Sequence, residues 1–255
     1  VIDPFSNSAF KYGFGLFETM RAINSEIIFF DEHINRLNSS LKYFGLSPVE
    51  KELIKRKLLS EINKRKLKDA RIRITYSLQK EKPLITFEFA PYTNSFPQLA
   101  RITVSNYLLK HNEELRKHKT TNYFINYYEY RKARSSNYDE VIFCDDKGHI
   151  LEGSRTNIFL VFYKKNFNDL KICTPTLKCG ILPGVAREKI IQVCKSLKIK
   201  IEVSPIPKKL LYKANEIFLS NSLNGIIPVT TSSTDFKKEI TYHLKEHFDK
   251  YFNFN

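Results

Sequence analysis

Apolar residues recur along this chain in two registers, one with the period of a helix and one with the period of a strand. The run Glu26-Ile27-Ile28-Phe29-Phe30 has strand composition, and Ile34, Leu37, Leu41 and Phe44 follow it at three- and four-residue spacing before Gly45. That spacing lays one apolar stripe along a helix over residues 31–44, and the glycine stops it. A second stripe of Leu53, Ile54, Leu58, Leu59 and Ile62 follows Ser47-Pro48 and predicts another helix. Residues 70–77 and 84–89 alternate with period two and predict strands, a Pro/Asn/Ser-rich turn fills 91–97, and a further strand is expected around 102–107. The stretch 112–119 is charged and poor in large apolar side chains, as a connection between domains would be. Beyond it the pattern predicts a helix over 122–135 and a strand over 140–144. The turn Asp145-Asp146-Lys147-Gly148 then leads into strands over 149–152 and 156–162. A helix over 185–197, strands near 200–203 and 216–220 and a last helix over 239–252 complete the chain. The expectation is a mixed α/β (α+β) fold with a small N-terminal subdomain over 1–115 and a larger C-terminal one over 116–255.

A chain of 255 residues, 42% hydrophobic, can bury a core without disulfides or metals to hold it. No stretch approaches the roughly 20 apolar residues that span a bilayer. The opening Val1-Ile2-Asp3-Pro4 has neither a basic leader nor an apolar signal core, so a cytoplasmic protein is expected. Cys144, Cys173, Cys179 and Cys194 show no metal-ligand spacing and read as packing residues. The net charge of +15 raises nucleic acid and membrane as partners, but the lysines are spread from Lys11 to Lys250 with acids among them, as in Lys51-Glu52 and Lys80-Glu81-Lys82. Without a basic block neither partner is supported; a general attraction for small anions remains.

Two local features carry candidate chemistry. In Leu182-Pro183-Gly184-Val185-Ala186-Arg187 a turn runs directly into a helix, whose unpaired amides suit a phosphate, although such a turn is more often only a turn. Glu152 ends a strand beside Gly153-Ser154 and ahead of Asn157-Ile158-Phe159, where a carboxylate can accept a proton from a heterocyclic nitrogen; a solvated hairpin acid is the alternative. Gly13-Phe14-Gly15 makes no dinucleotide fingerprint, and no P-loop lysine motif is present.

Taken in order, these and other strings form one constellation. It begins with Tyr12-Gly13, Gly15-Leu16-Phe17-Glu18-Thr19-Met20-Arg21 and Glu32-His33 with Arg36-Leu37, and continues through Lys119-Thr120-Thr121-Asn122-Tyr123, Asp139-Glu140 and Glu152-Gly153-Ser154 with Asn157-Ile158-Phe159. Thr174-Pro175, residues 181–187, Glu216-Ile217-Phe218 and Ser220-Asn221-Ser222 with Pro228-Val229 complete it. Over nearly its whole length the chain resembles the fold type IV (class IV) aminotransferase family of pyridoxal-phosphate enzymes. That family includes branched-chain and D-amino acid transaminases and aminodeoxychorismate lyases.

The resemblance implies a pyridoxal 5'-phosphate cofactor between two subdomains and a homodimer; no metal, nucleic acid or membrane partner is expected. It implies that Lys119 is the Schiff-base lysine and moves the Cα proton, and that Glu152 pairs with the pyridinium nitrogen. Arg36, the Val185 and Ala186 amides after Gly184, and Ser222 would hold the phosphate. Asn157 joins the cofactor set, and Tyr123 would hydrogen-bond the ring hydroxyl. Tyr12, Phe17 and Arg73 fall on the substrate side; Arg73 is the candidate for a substrate carboxylate, a strand-surface arginine being the alternative. The resemblance also implies a further strand ahead of Val1. Two departures stand out: Phe14 replaces an acid between the paired glycines, and Ala186 replaces a phosphate-binding threonine, which predicts weaker cofactor affinity.

For the reaction, Leu78-Gln79-Lys80-Glu81-Lys82-Pro83 lacks the Arg-x-His carboxylate trap of the D-amino acid transaminases, which places that reading third. Residues 119–123 and 220–229 resemble aminodeoxychorismate lyases most, enzymes that release pyruvate and leave p-aminobenzoate for folate synthesis. A branched-chain or broad L-amino acid transaminase is the second expectation.

Overall fold

The computed structural model describes residues 3–230 and 238–254. The chain divides into two units, Val1–Thr93 with His118–Tyr123 and Asn94–Lys117 with Phe124–Asn255. In the first, Asn7 accepts the Ala9 and Phe10 amides and so starts α1 (Ser8–Tyr12). There follow β1 (Gly15–Ile23), β2 (Glu26–Ile27), α2 (Phe30–Tyr43), α3 (Lys51–Lys64), β3 (Asp69–Gln79) and β4 (Lys82–Pro91). The strands form an antiparallel sheet in the order β2-β1-β3-β4. Leu16, Met20 and Ala22 of β1 and Ala70, Ile72 and Ile74 of β3 bury against Ile34, Leu37 and Leu41 of α2 and Ile54, Leu58 and Ile62 of α3. Side chains alternate across a strand. Phe17 and Thr19 therefore take the other face, where the register sets Phe17 opposite Thr75 and Thr19 opposite Arg73. The strand expected over 26–30 stops at Ile27, because Phe29 turns into the left-handed region (φ 56°) and Phe30 already begins α2.

The second unit contains β5 (Ile102–Leu109), α4 (Phe124–Ser135), β6 (Glu140–Asp145), β7 (His149–Gly153), β8 (Asn157–Phe162), β9 (Lys171–Thr174), α5 (Val185–Ser196), β10 (Lys200–Val203), β11 (Ile206–Pro207), β12 (Glu216–Asn221), β13 (Gly225–Pro228) and α6 (Glu239–Tyr251). Two sheets, β11-β7-β6-β5 and β10-β9-β8-β12-β13, share one apolar cluster. It takes Ile142, Cys144 and Ile150 from the first sheet and Ile158, Leu160, Ile217 and Leu219 from the second. Val141, Phe143 and Leu151 on the opposite face of the first sheet pack with Ala133 of α4. The division differs from a single cut at 115/116: β5 pairs in parallel with β6, which draws 94–117 into the second unit, and 118–123 pairs onto β1 of the first.

All four cysteines are free and buried. Burial raises each thiol's pKa, that of Cys194 to about 12, in keeping with packing roles. Among the described residues no helix is long and apolar enough to cross a membrane.

Candidate active site

In the first unit Lys119 is positioned by backbone pairing. The Phe17 amide donates to the Lys119 carbonyl (2.9 Å), the Thr121 amide donates to the Gly15 carbonyl (2.8 Å), and the Thr121 hydroxyl donates to the Gly13 carbonyl (2.7 Å). A Cβ on Gly15 would lie 2.8 Å from Ala9 Cβ and 3.0 Å from Thr121 Oγ1, so only glycine lets this segment close on β1. Three side chains then meet at the buried Phe17 ring. Lys119 Nζ lies 4.6 Å from its centroid, the Arg73 guanidinium 3.7 Å, and Tyr123 packs edge-on at 5.6 Å. Arg73 is half-buried, and burial lowers its pKa. Sequence reasoning placed Lys119, Tyr123, Phe17 and Arg73 in one site, and the structure brings these four together. Tyr12, also expected there, stands apart: it ends α1, is 70% exposed, and its ring faces Lys11 Nζ at 4.8 Å.

Arg36 of α2 is bound to a carboxylate that sequence reasoning left without a role. Glu18 accepts from Arg36 Nε (2.8 Å) and Nη2 (2.6 Å), and its Oε2 lies 2.7 Å from His33 Nδ1. Glu18 points to the helix-covered face of β1 and is almost fully buried. Burial alone would raise its pKa, but the Arg36 and His33 contacts outweigh that and hold it at about 2. Burial lowers the pKa of His33 against the pull of Glu18. This fork fixes the guanidinium plane of Arg36, which a lysine in its place would not achieve.

The second unit assembles a different set. Glu152, near the end of β7, accepts from Arg116 Nη2 at 2.9 Å through Oε1; its Oε2 accepts from the Leu182 amide at 3.1 Å and from Asn157 Nδ2 at 3.4 Å. Asn157 Nδ2 also reaches the Leu182 carbonyl (3.3 Å), tying the start of β8 to the turn ahead of α5. A Cβ on Gly184 would collide with Asn157 Oδ1, so the turn depends on glycine there. Among the described residues no side chain caps the α5 terminus at Gly184, while Val185 and Ala186 are buried in its first turn. Ser220 of β12 sits directly opposite Asn157 in the sheet, and its buried Oγ has no hydrogen-bond partner among the described residues. Ser222 is half-buried in the turn that follows β12, which Asn221 Oδ1 shapes by accepting the Leu223 and Asn224 amides.

These groups suit the cofactor that the resemblance implies. An uncapped helix start offers amides to an oxyanion, and the orphaned Ser220 hydroxyl, which normally costs free energy when buried, is a donor in want of an acceptor. The Glu152 carboxylate, a hydrogen-bond acceptor, suits a protonated ring nitrogen. Ala186 supplies an amide and no hydroxyl. Ala186→Thr should therefore tighten cofactor binding about tenfold, the worth of one hydrogen bond to a charged group. Fluorescence titration of the cofactor-free protein measures it, and unchanged or weaker affinity counts against the assignment.

Glu18, His33, Arg116 and Ser220 all stood in sequence without an assigned role. Glu18 and His33 lay inside quoted motifs, and Ser220 lay two residues before Ser222. Arg116 carried no signal, being one basic residue in a charged stretch read as a connection.

The chain is 30% identical to the aminodeoxychorismate lyase of Bacillus subtilis over 244 residues, 90% of this chain and 81% of that protein. It is also 30% identical to the "probable branched-chain-amino-acid aminotransferase" of Aquifex aeolicus over 250 residues, 87% of this chain and 76% of that one. The crystal structure of the branched-chain aminotransferase of Thermoproteus uzoniensis superposes with a TM-score of 0.87 at 24% identity, covering 98% of this chain and 89% of that one, a likeness of fold. Residues 15–231 match the amino-transferase class IV family, and the chain belongs to it.

Proposed function

We propose that this chain is a pyridoxal-phosphate enzyme acting on an amino-acid-like substrate through the Lys119 amine, and that its reaction is the elimination of pyruvate from 4-amino-4-deoxychorismate. The observation that carries this reading is the Phe17 ring, over which the Lys119 amine and the Arg73 guanidinium both lie. A base and a carboxylate anchor on one apolar platform suit removal of a proton from the amine-bearing carbon of a substrate held through its carboxylate.

Class IV aminotransferases depend on pyridoxal phosphate, which when bound supplies an aldehyde for the substrate amine and a ring that accepts the electrons left at Cα. The other tasks belong to side chains. Arg73 orients the substrate through its carboxylate, and Lys119 takes the proton from Cα. Glu152, paired with Arg116, would accept a hydrogen bond from the ring nitrogen and so favour its protonated form. The first amides of α5 would bind the phosphate with the Ser220 and Ser222 hydroxyls, and Arg36, whose Nε and Nη2 are held by Glu18, would add positive charge. Tyr123 would donate to the ring hydroxyl. Elimination rather than amino transfer follows where departure of the pyruvate moiety leaves an aromatic ring, a step that needs no second substrate.

Two cations on one aromatic ring suit an anionic cyclic substrate, and similarity to the Bacillus lyase over 90% of this chain supports the same reading. Similarity to the Aquifex protein supports the second reading, a branched-chain L-amino acid transaminase. The deciding experiment assays purified protein with aminodeoxychorismate, and separately with branched-chain amino acids and 2-oxoglutarate. Pyruvate release in the first assay alone is expected; amino transfer alone would sink the lyase reading. A homodimer is part of the proposal, and sedimentation at the mass of a single chain would contradict it.

A further inference from the structure

Away from the residues given to the cofactor, the second unit converges two histidines on one carboxylate. Asp145 ends β6 fully buried, and its Oδ1 accepts the Lys147 amide at 3.1 Å and the His149 amide at 2.7 Å, which shapes the turn into β7. Oδ2 takes no part in that turn. It lies 2.6 Å from His111 Nδ1 and 3.2 Å from His149 Nδ1. His111 follows β5 and is fixed in turn, its amide donating to Asp146 Oδ1 at 3.1 Å. One donor atom from each of the three residues lies within 4.8 Å of the others. The imidazoles are 23% and 26% exposed, and His111 borders a cleft of about 350 Å3 lined also by Thr176, Lys178 and Cys179.

We propose that His111, Asp145 and His149 bind a divalent first-row transition ion, Zn2+ being the best match. Two ring nitrogens and one carboxylate oxygen form a borderline donor set, which suits Zn2+, Co2+ or Ni2+ and is poor for Mg2+ or Ca2+, whose ligands are oxygens. An ion about 2.0–2.1 Å from each donor in tetrahedral geometry needs donors about 3.3 Å apart; Asp145 Oδ2 stands 2.6 and 3.2 Å from the two imidazoles and all three donors lie within 4.8 Å, so the set needs only local adjustment to reach that spacing. Asp145 is already oriented by backbone amides through its other oxygen, the kind of support that fixes a metal ligand. With three protein ligands and solvent access at the histidines, the ion keeps at least one position for water. It fastens the segment after β5 to the hairpin of β6 and β7, and this rests on none of the cofactor assignments.

The test is Zn2+ competition against a chromogenic chelator, with Co2+ absorption as the spectral probe, on untagged, chelator-treated full chain that retains its cofactor and has no added amino acid. Wild type is expected to bind one equivalent. His111→Gln and His149→Gln should each weaken binding at least ~100-fold, while His243→Gln with His247→Gln, the histidine pair of α6, leaves it unchanged. Absence of stoichiometric binding in wild type, or equal binding by a His111→Gln/His149→Gln double variant with native circular dichroism, overturns the site. Should the variants not fold, imidazole NMR of wild type decides: Zn2+ must shift His111 and His149, and shifts confined to His243 and His247 overturn the proposal.

Discussion

Lys119→Ala protein should purify without the yellow of a cofactor-loaded enzyme and turn over at least ~10^4-fold more slowly than wild type, whichever substrate proves correct. Loss of a nucleophile that also serves as base removes two roles at once, and such losses are large and not additive with others. Lys119 sits on a segment held by backbone pairing to β1, so truncating its side chain spares the hydrogen bonds that order it. A folded but inactive protein is expected. Borohydride treatment followed by peptide mass analysis of wild type should place the cofactor on Lys119; adduct on another lysine, or an alanine variant within tenfold of wild-type activity, would show the assignment to be wrong. Arg73→Leu separates anchoring from proton removal, because loss of the carboxylate contact raises KM and leaves cofactor attachment intact.

The second large effect concerns stability. Arg36→Ala should cost about 3–5 kcal/mol, read as a lower denaturant midpoint, because it leaves the Glu18 carboxylate buried without its cation. Glu18→Gln should cost a similar amount by stranding Arg36. The pH dependence tells this network from ordinary packing. The folded-state pKa of Glu18 is about 2, below its ordinary 4.5, so its contribution is complete above about pH 4.5 and is lost as pH falls through about 2. Wild type should therefore lose stability steeply in that window. Glu18→Gln, having no carboxylate to protonate there, should show a shallower slope, and parallel curves for the two proteins would rule the network out as the cause.

Much of the fold was legible along the chain. The stripes of Ile34, Leu37 and Leu41 and of Ile54, Leu58 and Ile62 are buried helix faces, and the period-two runs of β3 and β4 are strands. β1 was not read as a strand, because Glu18 occupies an inward position where alternation calls for an apolar residue. That break in pattern is functional in form: a charge enters the core only because Arg36 and His33 of α2 meet it there. Residues 112–117 read as a connection for a related reason. Arg116 matters through Glu152, a partner 36 positions away that no local pattern reveals.

Sequence by itself determined most element types, the family and most of the residues that could carry its chemistry, since helix and strand periods, turn glycines and ordered motifs are local properties. Which of those residues meet was decided only by tertiary structure. Lys119 and Arg73 share the Phe17 ring because strand pairing brings positions 17, 73 and 119 together, whereas Tyr12, five residues from Phe17, ends a helix and faces solvent. The partners of Arg36 and Glu152 were settled in the same way, because a buried charge takes its partner from whatever distant segment packing delivers.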